Sequence, residues 1–264
     1  MQPAELPSVD NATLRFYEQE ALRYREIHAR PLLRYSSALE QELLSAFLPL
    51  KGCVLDIGCG EGRTTRYLAT LVEGPVIGAD FSHAMVAQAQ YAQDRPALRY
   101  CVADAQALPF NDAQFNVVTA MTTFNNVPDI QLAMSEAARV LAPGGILAAT
   151  IINRLEAAQC ARGVYFFPYY LYRRLRYGQR KMVRKTYDRA DVLKLVPDCM
   201  EVVSCEGMRM LPDFFPEYPF NFWRPFFGVT RWLFDILRPL DLKLARHPVI
   251  GRFARFHLLI ARKR

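Results

Sequence analysis

The sequence predicts an α/β fold: a doubly wound, seven-stranded sheet, an N-terminal helical cap, and helical, aromatic insertions after the fifth strand and between the sixth and seventh. Three observations carry that expectation. Between residues 50 and 152, short apolar runs bounded by glycine alternate with helical patterns, the arrangement of βα units in a mainly parallel sheet. The first run ends in a glycine-rich turn that passes straight into a helix, as it does where such sheets bind ligands. The 264 residues, 52% of them hydrophobic, can bury one substantial core. The chain therefore reads as a single domain over 1–264, with a cap at 1–49, a core at 50–152 and a basic, aromatic remainder at 153–264.

The elements follow in order. Leu14, Tyr17, Ala21, Tyr24 and His28 recur at steps of three and four, so a helix would align them on one face, and a second helix from Leu32 to Phe47 follows Pro31. Val54, Leu55 and Ile57 make a first strand buried on both faces. Gly58, Gly60 and Gly62 then let the backbone turn sharply and let a ligand come closer than any Cβ would permit. A helix from Arg63 to Val72 stops at Gly74-Pro75, and its free N-terminal amides favour an anionic ligand group. Val76 to Asp80 is a second strand ending in an acid, and Ser82 suits a helix cap. Arg99 to Val102 is a third strand leading into Ala103-Asp104-Ala105, and Phe115 to Met121 is a fourth. A helix holding Glu136, Arg139, Val140 and Leu141 precedes Ala142-Pro143-Gly144-Gly145 and a fifth strand, Ile146 to Ile152. A sixth strand is expected near Glu201 to Met210 and the last from Phe253 to Arg262.

The glycines are spaced G-x-G-x-G, with Asp56 two positions before the first. A dinucleotide turn is spaced G-x-G-x-x-G/A and would place Arg63 where a small residue must let helix and strand pack. The run Val54-Leu55-Asp56-Ile57-Gly58-Cys59-Gly60-Glu61-Gly62 instead resembles motif I of the class I S-adenosylmethionine-dependent methyltransferases. The stretch EAARVLAPGGILAAT, Glu136 to Thr150, is similar to the branch that includes the quinone-biosynthesis C-methyltransferases. The resemblance covers residues 50–152 and, more faintly, the last strand.

That resemblance implies a Rossmann-like fold, S-adenosyl-L-methionine as cofactor and a set of site residues. Asp56 would orient the methionine end, with Gly58, Cys59, Gly60 and Gly62 close against it. Asp80 would hold the ribose, Phe81 would stack on the adenine, and Asp104 with Ala105 would take its edge. Met121 and Thr122 would border the cofactor, with Thr122 or Thr123 facing the transferring methyl. Plain architecture offers other readings: the turn as ordinary doubly wound geometry, Asp80 as a loop cap, Cys59 as a buried neutral thiol. His28, with Tyr24 one turn away, is a candidate proton acceptor, because a histidine titrates near neutral pH; packing of that Tyr and His stripe on the sheet, with both polar tips satisfied, is the stronger of the two readings.

The acceptor side carries less signal. After the fourth strand the chain reads Met121-Thr122-Thr123-Phe124-Asn125, whereas methyltransferases of base amines show an acid or amide, two prolines and an aromatic there. The expected reaction is methyl transfer to oxygen or carbon, with nitrogen open, of a hydrophobic or amphipathic small molecule. A non-catalytic S-adenosylmethionine-binding module and an RNA methyltransferase are the alternatives. No metal site is expected, since the six cysteines are scattered without paired spacing. Neither a disulfide framework nor a signal peptide is indicated, and a cytoplasmic setting follows.

Charge divides sharply. Residues 1–150 hold 11 Lys and Arg against 16 Asp and Glu, and residues 151–264 hold 22 against 10. Basic and aromatic side chains interleave in 162–189, and a second aromatic run fills 213–240, where Arg231, Asp235 and Arg238 interrupt any membrane span. Such segments suit peripheral contact with an anionic membrane, stacking on RNA, or a small helical subdomain with rings inside and arginines solvated.

Overall fold

The computed structural model describes residues 11–29, 31–48, 51–93, 95–156, 185–211 and 227–264. The expectations for 162–184 and 213–226 thus lie outside the described residues. The sheet comprises β1 Val54–Ile57, β2 Val76–Asp80, β3 Leu98–Val102, β4 Phe115–Met121, β5 Leu141–Ile152, β6 Met200–Met208 and β7 Phe256–Lys263, in the order β3-β2-β1-β4-β5-β7-β6. Strands β1 to β5 run parallel. Strand β7 is antiparallel to both neighbours. The order reverses between β1 and β4, so a crevice opens at the carboxyl ends of these two strands.

The helices are α1 Asn11–His28, α2 Pro31–Ser45, α3 Arg63–Leu71, α4 His83–Tyr91, α5 Ile130–Val140, α6 Arg189–Leu195 and α7 Phe227–Arg246. They cover both faces of the sheet. One face packs Phe115, Val118, Ile130, Met134 and Val192 together, and the other packs Leu39, Leu68, Val86, Phe234 and Ile260. Double coverage is why β1 is buried along its whole length, and why Asp56 within it requires internal partners.

Two strand boundaries depart from expectation for local reasons. Strand β5 begins at Leu141, five residues early, because Leu141 pairs with Phe115 before the register jumps to Val117 opposite Ile146. Pro143 and Gly144, the latter at φ 76, lie in the intervening bulge. Strand β7 begins at Phe256, because Ile250–Phe253 closes into a short 3-10 helix.

Helix α1 lies against α4. Glu18 fixes that contact: its Oε1 accepts from Ser82 Oγ at 2.8 Å and from the Ala84 N–H at 3.3 Å. Helix α2 is tied to α7 through Tyr35, whose hydroxyl donates to Asp241 Oδ2 at 2.8 Å. Among the described residues, no helix is long and apolar enough to cross a membrane.

Candidate active site

The glycine turn after β1 is shaped by what presses on it. A Cβ on Gly58, at φ +69, would fall 2.2 Å from Thr123 Oγ1, because the Thr123 hydroxyl donates to the Ile57 carbonyl at 2.9 Å. Gly60 is different: at φ +55, its nearest neighbour along a Cβ vector is the Tyr24 ring, 3.8 Å away. The turn is thus closed against β4 on one side and open to the cap on the other.

Asp80 anchors the turn from the end of β2. Its Oδ2 accepts from the Gly60 N–H at 2.8 Å and its Oδ1 from the Ser82 N–H at 3.0 Å. Burial pushes its carboxyl up to about 6, against those two amide bonds, with Glu18 adding to the rise. A carboxylate has about four lone-pair sites, so each oxygen keeps capacity for a ligand hydroxyl. At the end of β3, Asp104 Oδ1 accepts from the Gln106 N–H at 2.9 Å, and Gln106 Oε1 accepts from the Asp129 N–H at 2.8 Å. That relay ties the third strand's loop to the segment after β4.

The segment after β4 is strained. Thr122, β-branched, sits at φ 57, a conformation costly for such a residue. Its N–H donates to Thr150 Oγ1 at 2.8 Å and its hydroxyl to the Met121 carbonyl at 2.7 Å. Asn126 Nδ2 donates to the Thr122 carbonyl at 3.0 Å and to Tyr17 Oη at 3.4 Å. The Tyr17 ring meets Phe81 edge-on, with centroids 5.6 Å apart.

Together these residues enclose a cleft at the carboxyl ends of the strands. Of the anticipated residues, Gly58, Gly60, Asp80, Phe81, Asp104, Ala105, Met121, Thr122 and Tyr24 line it. Four do not. Asp56 lies behind the turn, 1% exposed, with Oδ2 accepting from Thr65 Oγ1 and Oδ1 from Thr119 Oγ1, both at 2.7 Å. Its carboxyl is pushed up to about 6 by burial, despite the two hydroxyls, and its part is to lock α3 and β4 to β1. Cys59 is buried with its thiol pushed well up by that burial. Gly62 faces Tyr100, whose hydroxyl would lie 2.6 Å from a Cβ there.

His28 is the fourth, and it corrects the expectation of a base at the reacting atoms. Its ring lies 4.6 Å from that of Tyr24, but it lines a separate cavity with Arg34, Arg63 and Phe234. Burial, then the Arg63 charge, pushes its imidazole down to about 4. Of the two candidate proton acceptors, Tyr24 lines the cleft and His28 does not.

The cleft also uses Tyr17, Met85, Thr123, Asn126, Val127 and Pro128, most of which sequence reasoning did not place there. The signal for the last three was the polar run Asn125-Asn126-Val127-Pro128 after a buried strand. The chemistry assembled is two carboxylates at adjacent strand ends, a turn open to close approach, and apolar or aromatic walls. A nucleoside, with its diol and flat base, fits that set.

Comparison with known proteins agrees. Residues 55–149 match the family described as "Methyltransferase domain". The chain is 34% identical over 169 residues to the demethylmenaquinone methyltransferase of Shouchella clausii, covering 62% of this chain and 68% of that one. It is 39% identical over 113 residues to the 27-O-demethylrifamycin SV methyltransferase of Amycolatopsis mediterranei, covering 40% and 41%. The chain thus spans less than half the length of this second relative. An S-adenosylmethionine-dependent methyltransferase of Thermotoga maritima shares the fold, with a TM-score of 0.61 at 16% identity over 95% of this chain and 99% of that one. With motif, fold and a relative matched over two thirds of its length in accord, the chain belongs to the class I S-adenosylmethionine-dependent methyltransferases.

Proposed function

We propose that the protein transfers a methyl group from S-adenosylmethionine to an oxygen or carbon of a hydrophobic or amphipathic small molecule. The observation that carries this reading is the open side of the glycine turn, with Asp80 at its rim and an apolar wall of Met85, Met121 and Val127 beyond it. In this reading Asp80 holds the ribose hydroxyls, Phe81 and Met85 flank the base, and Asp104 with Ala105 takes its edge. The cofactor supplies an electrophilic methyl on a sulfonium. The chain's own work is alignment and exclusion of water, which supply much of the acceleration of an in-line displacement. Tyr17 and Tyr24 of helix α1 line the cleft, and Tyr24 would be the group that passes on a proton from an acceptor hydroxyl.

The relatives named for a demethylmenaquinone and a rifamycin precursor support an aromatic or quinone-like acceptor. The test incubates the protein with methyl-labelled cofactor and cell extract, then separates organic-phase molecules, aqueous metabolites, RNA and protein. Label in the organic phase is expected. Label in RNA would overturn the acceptor class, and no label with cofactor binding intact would favour a binding module.

A specific observation favours peripheral membrane contact. Trp232, Ile236 and Leu240 recur every fourth residue of α7 and are 64%, 54% and 48% exposed, on the half with 22 Lys and Arg against 10 Asp and Glu. An apolar stripe within a basic half suits an anionic bilayer. Replacing Trp232 and Ile236 by Ser should abolish flotation with anionic vesicles; undiminished flotation would remove this reading.

A further inference from the structure

A cavity of about 330 Å³ lies on the far edge of the sheet from the cofactor cleft. Its walls are Arg189 at the start of α6, Arg246 and His247 at the end of α7, and Arg252 in the following 3-10 helix, over Cys205 of β6 and His257 of β7. The walls are drawn together at Gly207, where a Cβ would come 2.4 Å from the Ala245 carbonyl oxygen. The end of α7 thus seats directly on β6.

His257 is 1% exposed, lines this cavity, and its Nε2 has no hydrogen-bond partner. A buried ring nitrogen without a partner carries its desolvation cost uncompensated, and a ligand oxygen would remove that cost. Burial, then the Arg189 charge, pushes the imidazole down to about 4, so the ring is neutral near pH 7 and one nitrogen donates. His247 supplies a second donor: its Nδ1 accepts from the Val249 and Ile250 N–H groups at 3.2 Å, leaving its proton on Nε2.

Charge selects the ligand. One acid, Glu206, is itself in the wall, where its charge is paired by Arg246 Nε at 3.1 Å, and Asp188 nearby is paired with Arg154 at 2.7 Å. Arg189 and Arg252 make no ion pair among the described residues and face the same cavity. With the His257 proton on Nε2, two guanidinium forks and two imidazole donors would match a tetrahedral dianion better than a planar monoanion. The volume exceeds that of a phosphate group and lies at the lower end of small-ligand sites.

We propose that this pocket binds a phosphate group, free or as a monoester, with Arg189 and Arg252 on the phosphate oxygens and His257 Nε2 donating from the floor. The site is independent of the methyl-transfer reading and stands whether or not the cofactor cleft is active.

Calorimetric titration of the full chain with inorganic phosphate, glycerol 3-phosphate and acetate, at fixed ionic strength, tests it. The expected result is saturable phosphate binding, tighter than acetate, and weakened at least about tenfold in Arg189→Glu and in Arg252→Glu. Both arginines are exposed, and cofactor binding checks that the variants fold. Nitrogen shifts of the His257 ring should move on phosphate addition in the unaltered chain. Glycerol 3-phosphate binding tighter than inorganic phosphate identifies a soluble ester. Retention on vesicles of phosphatidic acid in phosphatidylcholine, lost in Arg252→Glu, identifies a lipid headgroup. Acetate binding as tightly as phosphate, unaltered affinity in both variants, or no saturation in a chain that still binds cofactor would overturn the proposal.

Discussion

On the cofactor side of the sheet, Asp80 reaches the Gly60 N–H across 20 positions and the Ser82 N–H across two. Away from the cleft, Tyr35 reaches Asp241 across 206 positions and Arg209 reaches Ser36 across 173. The first region is assembled from successive βα units, and many of its polar groups are satisfied within or next to the same unit. The second is closed by side chains that tie the N-terminal helices to the C-terminal ones. One consequence is that damage to the second half should appear as lost stability, and damage to the first as lost binding.

The largest expected effect tests the long-range ties. Asp241 is fully buried; its Oδ2 accepts from Tyr35 Oη, and its Oδ1 from the Met210 and Leu211 N–H groups at 2.8 and 2.7 Å. Asp241→Ala leaves three buried donors without a partner and should cost about 3–4 kcal/mol of stability in urea unfolding. Asp241→Asn, which keeps one acceptor oxygen, should lose less. A loss under about 1 kcal/mol in the alanine variant would mean that water replaces the carboxylate and the closure is looser than drawn.

The same contrast explains what the sequence made legible. The strand at Val76 to Asp80, the turn from Gly58 and the cap at Ser82 each carry a local signal, apolar run, glycine or capping side chain, that a short window of residues contains. The partners of Asp56 are not: Thr119 lies 63 positions away, and only the pairing of β1 with β4 brings it beneath the carboxylate. Glu18, 64 positions from Ser82, reads as one more polar residue on a helix. His28 was misplaced for a related reason, because spacing aligns it with Tyr24 without saying which of them the sheet edge leaves facing the cleft. The phosphate pocket joins five elements, so its arginines read only as part of a basic half.

On the cofactor side, Asp80→Ala should weaken S-adenosylmethionine binding by about 1.5–3 kcal/mol through lost charge-assisted hydrogen bonds. Stability should fall as well, though by less than in Asp241→Ala, because the Gly60 amide faces the cleft while that of Ser82 is left buried without its acceptor. An unchanged dissociation constant would remove Asp80 from the cofactor site.

A pH series separates the two halves more finely. The Asp80 carboxyl is pushed up from 3.8 to about 6, and ribose hydroxyls need the ionised form. Cofactor affinity should therefore rise about tenfold between pH 5 and 7 and then level off. Stability should move the opposite way. A folded-state pKa above the unfolded one gives stability that is full below about 4 and lost as pH rises through about 6. Asp56 and Asp80 both contribute that slope. Asp80→Asn should flatten the affinity curve and lessen the stability slope, leaving the share due to Asp56, and an affinity curve that is flat in the unaltered chain would sink the coupling.

The smallest effect concerns Thr122. Its φ of 57 is held by the Thr150 hydroxyl on its N–H and by its own hydroxyl on the Met121 carbonyl. Glycine adopts that φ without the steric penalty but gains freedom in the unfolded chain. Thr122→Gly should then alter stability by no more than about 1 kcal/mol, since relief of strain offsets the entropy and the lost hydroxyl bond. Methyl transfer should fall all the same, because the peptide after β4 no longer has one enforced direction at the cleft wall. Unaltered turnover in Thr122→Gly would mean that the strain serves packing of β4 on β5, and that the cofactor half owes its geometry to Asp80 and the glycine turn without help from this residue.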